Sequence, residues 1–187
     1  AILAGVDSIE HGYELKGHEN LDGDVIELML KQGNFLCPTL TCDIRIAEYG
    51  TEFGIPADSV DKMKRWIDHL LDSFQCAHKA GVRIAAGNDA FADWVSVRKP
   101  HQRRSVLWLA TWRASEIAAM VQYGMDAHDA LIAATANAAQ LLQLADEGVV
   151  APGKRANLVV LDGDPLVDIK AVGNVAAVMK DGDWITR

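Results

Sequence analysis

The feature that most constrains the fold is an alternation. Over the first two thirds of the chain, short β-like runs take turns with long helical patterns, the signature of βα units laid into a parallel sheet. Val6 to His11 is a short strand, and Asp24 to Gln32 reads as a helix with Val25, Ile26, Leu28, Met29 and Leu30 on its apolar face, stopped by Gly33. Phe35 to Thr39 is the second strand, ended by Pro38 and a polar loop. A longer helix from Ser59 to Lys79, capped by Asp58 or Ser59 and closed by Gly81, carries Val60, Met63, Ile67, Leu70, Leu71, Phe74 and Ala77 at helical spacing. Val82 to Ala86 is the third strand and runs into Gly87, Asn88 and Asp89. Helices over 104–123 and 127–144 follow, the second capped by Asp126.

Beyond Asp146 the pattern changes to short apolar runs punctuated by turns, so the chain divides into 1–146 and 147–187. Leu158 to Leu161 reads as a buried strand and Val175 to Lys180 as another. Asp181-Gly182 before Trp184-Ile185 reads as a hairpin turn, because both turn residues tolerate positive φ. With 187 residues, half of them hydrophobic, the chain can bury a sizeable core. A net charge of −8 argues against nucleic acid as a partner, and no apolar stretch is long enough to span a membrane. Cytoplasm is the favoured compartment. Cys37, Cys42 and Cys76 have no metal-knot spacing and read as free thiols. The chain starts at Ala1, without Met, directly on an apolar segment; the start is expected to be a cut inside a longer protein.

Two residues stand at predicted strand ends where metal or proton chemistry is performed. His11 ends VDSIEHG and Asp89 ends RIAAGND. In a parallel βα architecture the strand C-termini share one face, so these two can converge on one pocket. An imidazole and a carboxylate are ligands that zinc and related divalent ions accept. Taken alone, the pair has other readings: a hydrogen-bonded structural histidine, and an aspartate capping a turn or helix.

Four segments narrow the choice: SIEHG, the GNDA turn, ALIAATANAAQLLQL from Ala130, and above all GVVAPGKRANLVVLDGDPL from Gly148. Together they resemble the amidohydrolase superfamily, in particular its imidazolonepropionase-like and Xaa-Pro dipeptidase-like branch. The resemblance implies an α/β fold: strands 6 to 8 of a metal-dependent (β/α)8 TIM-like barrel, plus the C-terminal part of a small β-sandwich. It implies that His11 is the metal-binding histidine of the sixth strand. Asp89 would be the aspartate of the eighth, touching the metal and moving the proton. The implied cofactor is one or two divalent ions, zinc foremost, whose other ligands lie upstream. The implied activity is hydrolysis of C–N bonds in small molecules; the alternatives are a lactonase or phosphotriesterase activity, or a non-catalytic fragment that completes another subunit. A homo-oligomer is compatible with this. Two positions depart from the family: Asn88 stands where Thr is usual, and Asn157 where Asp is usual in the Ala156-Asn157-Leu158 run. Weaker substrate-facing candidates are Tyr13, just after His11, Thr39 at the end of the middle strand, and His101 in the loop after the third. Surface packing, turn initiation after Pro38 and plain loop exposure are their respective alternatives.

Overall fold

A computed structural model describes residues 1–12, 22–52, 54–89 and 105–185, with the backbone path alone for 22–24 and 105–113. The first part is built from β1 (Ser8–Glu10), α1 (Asp22–Gln32), β2 (Phe35–Cys37), α2 (Leu40–Tyr49), α3 (Ala57–Ala80), β3 (Arg83–Ile84), α4 (Ser105–Gln122), α5 (Ala127–Ala134) and α6 (Ala136–Leu141). The three strands form one parallel sheet in the order β1-β2-β3, with Ser8 opposite Phe35 and Phe35 opposite Arg83. Consecutive strands lie side by side because each is followed by a helix that returns the chain to the same edge. This is a mixed α/β arrangement.

The core lies between the sheet and its helices. Leu36 and Ile84 from the strands meet Met29 of α1, Leu70, Phe74 and Ala77 of α3, Met120 of α4, and Ala130 and Ala133 of α5. The helical spacing within α3 is what brings Leu70, Phe74 and Ala77 onto one buried face. Burial of such side chains contributes about 1.5 to 3 kcal/mol apiece before the cost of chain ordering.

Several elements differ from the expectations. The strands are shorter, β3 only Arg83–Ile84, and just past it the Ala86 N–H, on the side away from β2, bonds Ala133 O of α5 at 2.9 Å. Asn137 Nδ2 takes the Ile84 carbonyl at 2.8 Å, so helix-end groups cover the outer backbone of β3. The single helix expected over 127–144 is broken at Thr135, whose backbone leaves the helical region, and that break supplies both contacts. Asp126 caps α5 as expected, accepting from Asp129 N–H at 2.9 Å. α3 starts behind Pro56 with no side-chain cap, instead of being capped by Asp58 or Ser59. The segment after Pro38 is the helix α2, not a polar loop.

The last part holds β4 (Leu158–Leu161), β5 (Val175–Lys180) and β6 (Asp183–Ile185) in one antiparallel sheet. β4 was expected to be buried, but Val159 and Val160 are exposed in this chain. The β5-β6 hairpin turns at Asp181 (φ 52°) and Gly182 (φ 91°), as the sequence requires. Asn157 Oδ1 accepts the Asp181 N–H at 2.8 Å. A carboxylate could accept that bond equally well, so Asn in place of the usual Asp keeps the turn while sparing a further negative charge beside Asp181. Arg155 bridges Asp146 and Asp181, at 2.9 and 3.2 Å. No helix among the described residues is long and apolar enough to cross a membrane.

Candidate functional site

The three parallel strands each lead to a non-glycine residue in the left-handed region: His11 (φ 67°), Thr39 (φ 53°) and Asp89 (φ 48°). His and Asp are tolerant there; a β-branched Thr is not, and such a conformation costs of order 1 to 3 kcal/mol unless its surroundings hold it. Residues held this way cluster at functional sites, because the distorted backbone turns the side chain off the sheet axis.

Those side chains meet. His11 Nε2 lies 3.9 Å from Asp89 Oδ2, and both side chains are little more than one third exposed, at 37% and 39%. The opposite ring nitrogen, Nδ1, lies 2.7 Å from Thr39 Oγ1 and 3.9 Å from Asp43 Oδ2. His11 is placed by its own N–H, which bonds Cys37 O at 2.9 Å and extends the β1-β2 register one residue past the strand. Asp89 is reached differently, through five residues of irregular chain after β3. That chain crosses the end of β2 so closely that a Cβ on Gly87 would lie 2.5 Å from Cys37 Sγ. Only glycine fits there without displacement.

Behind the imidazole the structure buries two carboxylates that the sequence reading did not single out. Asp43 on α2 is 2% exposed, as is Glu116 on α4. Glu116 accepts from Leu40 N–H at 2.8 Å, from Thr41 N–H at 2.9 Å and from the Thr41 hydroxyl at 2.5 Å. Burial pushes its carboxyl above the ordinary range, partly offset by those bonds. The Cys42 thiol is pushed up to about 12, first by burial and then by Asp43. Cys37 is raised further, by burial and then by Glu10. The surroundings of the His11-Asp89 pair are therefore acidic throughout, the electrostatic complement of a cation.

Of the residues singled out from the sequence, the structure brings together His11, Asp89 and Thr39. Thr39 is buried, at 3% exposed, and its hydroxyl lies against the His11 ring. Tyr13 and His101 lie outside the described residues. Glu116 did have a sequence signal, as the sole acidic residue of α4. Asp43 had none, since its helix was read as loop.

The donor set suits a divalent ion by chemistry and comes close to it in distance. Zinc bonds to His nitrogen and carboxylate oxygen are each about 2.0 to 2.2 Å, and tetrahedral angles set two such atoms roughly 3.4 Å apart. His11 Nε2 and Asp89 Oδ2, at 3.9 Å, need a small side-chain rotation to reach that separation. Another group, Asp126, His128 and Asp129, also places three ligand atoms within 4.8 Å of one another. It is solvent-facing, spends an Asp126 oxygen on capping α5, and Asp129 lines a cavity with Gly81 and Val82, before β3 begins. That is the opposite end of the sheet from Asp89. A cavity of about 900 Å³ touches Glu10, His11 and Gly12, then runs between α1 and the first turns of α3 past Val25 and Met63. Thr39 and Asp89 do not line it.

Comparison with known proteins agrees with the motifs. The amidohydrolase family pattern matches residues 1–185, and the chain belongs to that family. The chain is 31% identical over 181 residues to ochratoxinase from Aspergillus niger, covering 95% of this chain and 33% of that protein. Over 55 residues it is 44% identical to imidazolonepropionase from Pyrobaculum arsenaticum, covering 29% of this chain and 14% of that protein. A Xaa-Pro dipeptidase crystal structure with methionine in its active site superposes with a TM-score of 0.77 at 32% identity, covering all of this chain and 41% of that one. The chain thus spans well under half the length of these relatives. The branch expected from the sequence, imidazolonepropionase-like and Xaa-Pro dipeptidase-like, is the one its relatives occupy.

Proposed function

We propose that the chain is part of a metal-dependent hydrolase that cleaves C–N bonds of small molecules. In this reading β1 to β3 are strands 6 to 8 of a (β/α)8 barrel, and β4 to β6 belong to a composite β-sandwich. The observation that carries the reading is the 3.9 Å approach of His11 Nε2 and Asp89 Oδ2 beyond the C-terminal ends of parallel strands. The names of relatives, a dipeptidase and ochratoxinase, support hydrolysis as the class.

His11 and Asp89 would hold a divalent ion, zinc by the chemistry of the donors, together with ligands from the rest of the protein. Such an ion lowers the pKa of a bound water to about 7 and polarises a scissile carbonyl. The chain's own residues do the rest. Thr39 Oγ1 engages Nδ1 at 2.7 Å, which fixes the ring orientation and leaves Nε2 on the side of Asp89. The Asp89 carboxylate, in reach of solvent, takes a proton from the attacking water and delivers it to the leaving nitrogen.

Asp89→Asn in the complete metal-loaded protein keeps the size of the side chain and removes its basicity. Turnover of a panel of dipeptides and N-acyl amino acids is expected to fall by about 10² to 10⁴, with an unchanged circular dichroism spectrum. Turnover within a factor of three of the parent would rule the assignment out.

A further inference from the structure

We propose that Glu116 is a positioning residue for the His11 imidazole, acting through the first turn of α2 and Thr39. This rests on the reading of His11 as a metal ligand. The argument starts from what the start of a helix needs. The first amide groups of α2 have no partner within the helix, and a Thr at the N-cap ordinarily supplies one with its hydroxyl. Thr39 occupies the N-cap of α2 and makes no such bond. Its hydroxyl is 2.7 Å from His11 Nδ1 instead.

The missing cap comes from another helix. Glu116 projects from α4, and its two oxygens take the Leu40 and Thr41 amides and the Thr41 hydroxyl. A buried carboxylate is tolerated only when its acceptor capacity is used, and here all three of these bonds go to the two residues following Thr39. Two tasks are thereby divided between two side chains: Glu116 caps α2, which releases Thr39 to orient the imidazole. The same bonds clamp the backbone beside a Thr that holds an unfavourable left-handed φ of 53°. Without Glu116, the Thr39 hydroxyl is free to turn back to the α2 amides and abandon Nδ1.

The test uses the complete protein, stripped of metal and titrated with Zn²⁺ by calorimetry. Glu116→Gln conserves volume but sets an NH₂ against an N–H or O–H donor; it is expected to weaken zinc binding about tenfold, as loss of an outer partner to a ligating histidine does. Thr39→Ala is expected to do the same, and the double variant to bind no more weakly than Thr39→Ala alone. Should Glu116→Gln fail to accumulate, Thr41→Val removes one of the three bonds and is expected to cost about threefold. Where His11→Ala does weaken zinc binding, unchanged affinity in Glu116→Gln or Thr41→Val, or additive losses in the double variant, overturns the proposal. A second readout separates it from the metal assignment: the hydrogen-bond shift of the His11 Nδ1 nitrogen resonance, expected in NMR spectra of the metal-free protein, is expected to be lost in Glu116→Gln. Its persistence overturns the positioning role. Its loss alongside a His11→Ala variant of undiminished zinc affinity overturns the metal assignment and leaves the positioning role standing.

Discussion

The thiol of Cys42 shows how the acidic, buried ground behind the site expresses itself in one residue. Its pKa is raised to about 12 by burial and then by Asp43, against roughly 8.5 in an unfolded chain. A raised folded value means that the folded state holds its proton more tightly. The resulting stability is complete below about pH 8.5 and is lost progressively as the pH climbs toward 12. The urea midpoint of the complete protein is accordingly expected to fall between pH 8 and 10, and to fall less steeply in Cys42→Ala. Parallel slopes for the two proteins would refute this origin of the alkaline loss. His11 and Asp89 were visible in the sequence because a strand-end residue next to glycine stands out in a periodic pattern. Glu116 and Asp43 were not assigned to the site, because burial of a carboxylate is decided by packing between helices distant in sequence.

At the scale of elements, the loop from β3 to Asp89 is closely constrained by the end of β2. Gly87→Ala places a methyl 2.5 Å from Cys37 Sγ, a contact that requires the sulfur to rotate away or the loop to shift. Overpacking of this kind costs about 1 to 3 kcal/mol. Cys37→Ala removes the opposing sulfur, so the Gly87→Ala/Cys37→Ala double variant is expected to be more stable than the sum of the single effects predicts. Denaturant titrations that show additive losses would mean that the loop yields elsewhere. The same scale shows what the sequence could and could not reveal. β4, β5 and the hairpin turn at Asp181-Gly182 were legible to the residue, because alternation and turn chemistry are local. α2 was hidden because Pro38 and polar residues suggested a loop, while the cap that starts the helix sits on α4. The break at Thr135 was hidden for a related reason: the sequence there has good helix formers, and what favours the break is Ala133 O and Asn137 reaching the outer backbone of β3.

At the scale of the molecule, the 187-residue chain presents surfaces that water does not favour. β1 is the edge of its sheet, and the large cavity beside it is walled by Ile2, Ile9, Val25, Leu28, Met63 and Trp66. Val159, Val160, Trp184 and Ile185 are exposed on the second sheet. Among the described residues that edge is unpaired; an open edge beside an apolar groove is a template for association, and the exposed apolar side chains of the second sheet add to it. Under the proposed function the metal chemistry points the same way, since His11 and Asp89 as two ligands would not make a closed zinc site. The chain produced alone is therefore expected to self-associate in light scattering and to bind Zn²⁺ no more tightly than micromolar. If, as proposed, the chain is part of a larger hydrolase, co-expression with the remaining barrel strands is expected to restore a monodisperse species and tighten zinc binding by at least tenfold. A cooperative thermal transition in the lone chain, with one tightly bound zinc per molecule, would show instead that the three strands and their helices suffice, and that His11 and Asp89 find their remaining ligands within these residues.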